Sequence, residues 1–101
     1  QVAKATVVVT NPTHLAVALR YHPREHPAPR VVAKGRRLVA ERIKEEALRH
    51  RVPVVENQPL ARALYDTTDL GRPIPTDLYQ AVAEIIAFVL RLTGRVPGGV
   101  R

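Results

Sequence analysis

Residues 5–10, Ala-Thr-Val-Val-Val-Thr, form a β-branched apolar run too short for a helix, and they predict a buried strand. Asn11-Pro12-Thr13 interrupts the run with turn residues. Residues 15–21, Leu-Ala-Val-Ala-Leu-Arg-Tyr, predict a second strand that pairs antiparallel with the first across this short turn. Pro23, Pro27 and Pro29 exclude regular structure from 22–29 and predict a loop of polyproline character. A short strand over 30–34 centres on Val31-Val32. The period then lengthens. Leu38, Val39, Ile43, Ala47 and Leu48 predict the buried face of a helix that Gly35 opens and that runs to about residue 50. Residues 52–56 predict a short strand, and Asn57-Gln58-Pro59 the start of a short helix over Leu60–Tyr65. After a loop at 71–75, Thr76 is placed to cap a final helix, Asp77–Leu92, whose Leu78, Val82, Ile85, Ile86 and Val89 recur at helical spacing. Residues 96–101 predict a frayed tail.

Strands alternating with helices after residue 30 predict a single α/β domain over 1–95, a mixed sheet flanked by helices. The 101 residues suit one domain, and an apolar fraction of 46% is enough for a core. The chain lacks cysteine, which removes disulfides and thiolate chemistry. Four histidines stand without metal-site spacing, so no metal and no cofactor is expected. No apolar stretch is long enough to cross a bilayer. A start at Gln1 rather than Met points to a longer parent protein.

The net charge of +7 raises a basic nucleic-acid-binding α/β module as an alternative function. Against it, the arginines are spread over every segment, and only three tyrosines and one phenylalanine are available for base stacking. A turnover hydrolase is disfavoured: the chain has no serine, and it offers no cofactor loop, metal cluster or Ser-His-Asp arrangement.

Asn11-Pro12 is the pair that carries chemistry. Asparagine normally deamidates when the following backbone nitrogen attacks its side chain, and proline has no N–H with which to begin that route. The opposite attack remains open. The Asn11 carboxamide nitrogen can attack the Asn11 main-chain carbonyl, close a succinimide and expel Pro12 as a new amino terminus. An amide is a poor electrophile and a carboxamide a poor nucleophile. The turn must therefore supply orientation, worth about 7–11 kcal/mol at the ideal limit, together with donors for the tetrahedral oxyanion. Thr13 can hydrogen-bond within the turn, and the His14 imidazole can relay a proton. Taken alone, Asn-Pro is common in plain turns.

The surrounding residues make the site specific. Val7-Val8-Val9-Thr10-Asn11-Pro12-Thr13-His14 closely resembles the NPTH cleavage motif of the FlhB/YscU/SpaS export-switch family of type III secretion. Ala28 to Gly35, Val52 to Asn57, Pro59 to Tyr65 and Leu78 to Glu84 resemble the same family in the same order, over residues 5–93. The resemblance implies self-cleavage after Asn11, fragments that stay associated, and a switch of export from early to later substrates. It implies a parent anchored in the inner membrane, with this segment on the cytoplasmic face. It also implies partners: other export-gate proteins, export substrates, a ruler or hook-length protein, and the domain's own cleaved N-terminal fragment. Nucleic acid is not among them. The final helix leans toward the flagellar branch. Leu15, where the family often has Tyr, and the His-Pro-Arg-Glu-His-Pro loop are departures. Finally, the rigid apolar loop at Pro27-Ala28-Pro29 and the surplus apolar positions of the last helix predict a shallow cargo groove, with Ala28, Pro29, Ala83 and Ile86 as its leading residues.

Overall fold

The computed structural model describes residues 1–94. The tail expected over 96–101 lies outside the described residues. A 3₁₀ turn at Val2–Lys4 precedes strand β1 (Val7–Asn11) and strand β2 (Leu15–Arg20). Strand β3 (Arg30–Arg36) leads into helix α1 (Leu38–Arg49); strand β4 (Val54–Glu56) into helix α2 (Gln58–Thr67). A second 3₁₀ turn, Thr76–Leu78, opens directly into helix α3 (Tyr79–Thr93).

The four strands form one mixed sheet in the order β3-β2-β1-β4. β1 is antiparallel to β2, with Asn11 opposite Leu15, and parallel to β4, with Thr10 opposite Glu56. β1 is thus an interior strand covered on both faces, which explains its unbroken β-branched run. Val7, Val9, Leu15, Val17, Leu19 and Val31 face α2 and α3, where Leu60, Leu64, Val82, Ile86 and Val89 close the larger core. Val8, Ala16 and Ala18 face α1 and meet Ala40, Ile43 and Ala47. Burying each such valine or leucine contributes about 1.5–3 kcal/mol.

The two faces differ in side-chain size, and this sets how near each helix lies. The α1 side is lined by alanines, so α1 lies close to the sheet. At Gly35, which pairs with Ala16, a Cβ would lie 2.1 Å from Val39 Cγ1 and 2.6 Å from its Cβ. Gly35 is therefore required for close approach and does not open the helix as its neighbours suggested. β3 continues through Arg36, and the chain turns at Arg37, whose φ of 54° and ψ of −119° are unusual for a side chain with a Cβ. The buried face of α1 differs in the same way. Ala40, Ile43 and Ala47 are buried, while Leu38 and Leu48 are 78% and 76% exposed. Alanine carries the contact because there is no room for leucine.

α2 is capped as expected at its start. The Asn57 side chain accepts the Leu60 N–H at 3.1 Å, and Pro59 sits in the first turn, where its missing N–H costs nothing. The expected Thr76 cap is absent: Thr76–Leu78 is a 3₁₀ turn, and no side chain caps α3. Among the described residues, no helix is long and apolar enough to cross a membrane.

Candidate functional site: the Asn11-Pro12 turn

β1 and β2 are joined by Pro12, Thr13 and His14 alone. The His14 amide donates to the Asn11 carbonyl oxygen at 3.0 Å, closing a β-turn with Asn at its first position and Pro at its second, where each is favoured. Strand pairing holds the residues on either side, since Asn11 pairs with Leu15. The amide of Asn57 donates to the Thr10 carbonyl at 2.9 Å and so fixes the residue before Asn11 from the β4 side.

This geometry has a direct chemical reading. In a cyclisation at Asn11 the electrophile would be the Asn11 carbonyl, whose oxygen carries a hydrogen-bond donor, the His14 amide. A donor there would stabilise negative charge on a carbonyl that becomes tetrahedral. The Thr13 hydroxyl donates to Asn11 Oδ1 at 3.4 Å, a long bond. It engages the oxygen end of the carboxamide and not Nδ2. Pro12, Thr13 and His14 are exposed and Asn11 is half-buried, so water can reach a succinimide formed here. The four residues singled out in the sequence are thus together, and it is the main-chain amide of His14 that bonds the Asn11 carbonyl.

Two contacts were invisible in the sequence. Lys44 of α1 donates from Nζ to the Pro12 carbonyl at 3.3 Å, and the Arg37 amide donates to the His14 carbonyl at 3.1 Å. Both partners lie more than twenty residues from the turn, and no local pattern announces them.

The second group of expected residues assembles only in part. A groove of about 380 Å³ runs between the proline loop and α3, lined by Tyr21, Pro27, Pro29, Tyr79, Ala83 and Ile86 among others. Pro29 and Ala83 stand on its walls. Ile86 is 4% exposed and belongs chiefly to the core, and Ala28 is 5% exposed and does not line the groove. Tyr21 and Tyr79 were missed, because an isolated tyrosine gives no periodic signal. The proline loop is well braced. Arg20 grips Glu25 at 2.6 Å, and this hydrogen bond holds the Glu25 carboxyl at about 2, below its ordinary value of 4.5. The Ala28 amide donates to His26 Nδ1 at 3.1 Å, and the Ile74 amide to the Pro29 carbonyl at 2.9 Å. Among the described residues there is no cluster of three His, Cys, Asp or Glu able to hold a metal ion.

A small α/β domain with an Asn-Pro-Thr-His turn between its first two strands is a defined class of protein. The chain matches the FlhB HrpN YscU SpaS Family over residues 1–89, and it belongs to that family. It is 54% identical over 101 residues to the flagellar biosynthetic protein FlhB of Salmonella typhimurium, covering 99% of this chain and 26% of that protein. The chain therefore spans about a quarter of the length of the curated relatives it matches. The cytoplasmic domain of FlhB from Shewanella putrefaciens superposes with a TM-score of 0.87 at 43% identity, over 92% of this chain and 73% of that one. The C-terminal domain of EscU superposes with a TM-score of 0.84 at 38% identity, over 87% of this chain and 94% of that one. The likeness favours the flagellar branch. This chain is an FlhB/YscU-type domain of the type III and flagellar export apparatus.

Proposed function

We propose that this domain cuts its own backbone between Asn11 and Pro12, and that the cut sets which substrates the export apparatus accepts. One observation carries the reading: the Asn11 carbonyl is held in a tight turn with the His14 amide on its oxygen. Asn11 Nδ2 attacks the Asn11 carbonyl carbon and its electron pair forms the new C–N bond. The bond from that carbon to the Pro12 nitrogen then breaks. The proton lost by Nδ2 passes to the Pro12 nitrogen, with the exposed His14 imidazole as carrier. Water opens the succinimide afterwards. The process is a single intramolecular turnover, not peptidase activity toward other chains.

β1 stays in the sheet after the cut, because Val7, Val8 and Val9 are fully buried and the strand is paired on both sides. At about 1.5–3 kcal/mol for each buried valine, the two pieces remain one folded unit. Purified protein is expected to migrate natively as one species. Its denatured mass spectrum is expected to show one fragment ending at Asn11 and another beginning at Pro12. A single intact mass after prolonged incubation at neutral pH refutes the proposal.

The surroundings implied for the switch are the cytoplasmic face of the inner membrane, the other export-gate proteins, a ruler or hook-length protein and the export substrates. The groove beside α3 is the docking place for the substrates, through a short apolar segment. Replacing Ala28 is not a clean probe, since an aspartate there would be buried. Ala83 is exposed on the groove wall. In the full-length parent, Ala83→Asp is expected to reduce export about tenfold or more while cleavage and melting temperature stay unchanged, as a secretion assay with parallel immunoblots measures. Unchanged export removes the groove from substrate recognition.

A further inference from the structure

The turn that holds Asn11 is clamped from outside the hairpin, by Arg37 just before α1 and by Lys44 in the middle of that helix. The Arg37 amide holds the His14 carbonyl at 3.1 Å, and Lys44 Nζ holds the Pro12 carbonyl at 3.3 Å. With the internal bond from the His14 amide to Asn11, the carbonyls of Asn11, Pro12 and His14 each have a partner. Lys44 is itself steadied by Glu41, 2.9 Å away on the same helix, and its side chain is only 26% exposed. Between the turn and α1 lies a depression of about 430 Å³ walled by Pro12, Thr13, His14, Arg37, Ala40 and Glu41.

Arg37 adds a second, independent sign. A positive φ of 54° with ψ of −119° is a region that essentially glycine alone adopts, and a residue with a Cβ persists there only where its surroundings over-determine it. Such strain concentrates at functional sites. Here the strained residue is the one whose amide reaches the cleavage turn. α1 in turn cannot drift, because Ala40, Ile43 and Ala47 fix it to the alanine face of the sheet.

We propose that Lys44 is a positioning residue of the self-cleavage site, acting with the Arg37 amide as a clamp that sets the orientation of the Pro12–His14 turn. The inference rests on the self-cleavage proposed above. The Pro12 ring fixes φ. Fixing the Pro12 carbonyl therefore fixes ψ, the remaining soft torsion of the residue that leaves. The ammonium holds that carbonyl by a charge-assisted hydrogen bond, which a neutral stem of equal length cannot replace. The bond Lys44 makes is to the Pro12 carbonyl, so its role is to orient the turn and not to move a proton. Its contribution is the fraction of time the turn spends in attack geometry.

The test compares unsubstituted protein, Lys44→Met and Lys44→Arg. The appearance of the fragments is followed by gel after pulse-labelled cell-free synthesis, and melting temperatures are measured in an Asn11→Ala background. Lys44→Met is expected to slow cleavage about tenfold with an unchanged melting temperature, and Lys44→Arg to return the rate to within about threefold of the unsubstituted chain. An unchanged rate in Lys44→Met overturns the inference and leaves self-cleavage standing. So does a lowered melting temperature in Lys44→Met, or a Lys44→Arg rate as slow as that of Lys44→Met, since either makes the residue structural. No cleavage in the unsubstituted chain overturns the proposed function, and the clamp's role with it.

Discussion

Asn11→Ala protein is expected to remain a single chain of full mass, with no fragment detectable after weeks at neutral pH. Alanine removes the only nitrogen in the turn that can reach the Asn11 carbonyl and close a five-membered ring. What remains is uncatalysed amide hydrolysis, so the loss is total on any practical timescale. The fold is expected to persist. The Asn11 side chain makes one long bond, to Thr13, whereas the contacts that build the hairpin are main-chain: Asn11 with Leu15, and the His14 amide on the Asn11 carbonyl. The stability change is therefore expected to stay within about 1 kcal/mol. Mass spectrometry and thermal melting measure both. Fragments split after residue 11 in the alanine variant refute the asparagine as nucleophile and turn attention to a water activated by His14.

The second large effect is expected at Gly35. A methyl group there meets Val39 at 2.1 Å and 2.6 Å, and the nearer contact cannot be relieved by rotating Val39 because its Cβ is also too close. α1 must therefore move off the sheet at its start. Overpacking of this kind costs about 1–3 kcal/mol. The damage does not end with stability. Arg37, at the entry to α1, and Lys44, within it, both reach the Asn11-Pro12 turn, so moving the helix loosens both contacts. Gly35→Ala is expected to lower the melting temperature by several degrees and to slow cleavage, both effects being readable in one preparation. A variant that melts like the parent shows that α1 can shift without cost and removes the close-approach role assigned to this glycine.

Local patterns revealed the strands, the order of elements and the turn. β1 was legible because an interior strand must be apolar on both faces. The Asn57 start of α2 was legible because caps and prolines act within one turn of helix. The start of α1 was not. Gly35 signals a helix opening as readily as a close approach, and only the helix lying against Ala16 and Ala18 tells the two apart. The buried face of α1 misled for the same reason: leucine outranks alanine in hydrophobicity, but a narrow gap selects by volume. At the site, Asn11, Pro12, Thr13 and His14 were adjacent in sequence and chemically distinctive. Arg37 and Lys44 were not, because an amide has no residue-specific signal and one lysine among sixteen basic residues has no distinguishing neighbour.

The place of β1 between β2 and β4 has a mechanical consequence for a chain cut after Asn11. A tension applied to the segment preceding Val7, and resisted by the rest of the domain, runs along the strand axis. Both neighbouring ladders then carry the load together, in shear, and the strand cannot be unzipped one bond at a time from an edge. Slippage by one residue would swap the faces of Val7, Val8 and Val9 and drive valines into the alanine gap beneath α1. A joint left by such a cut would therefore transmit pull much as an uncut chain does, up to the force that unfolds the domain itself. Such a cut would free Pro12 and the turn while β1 stays held in the sheet.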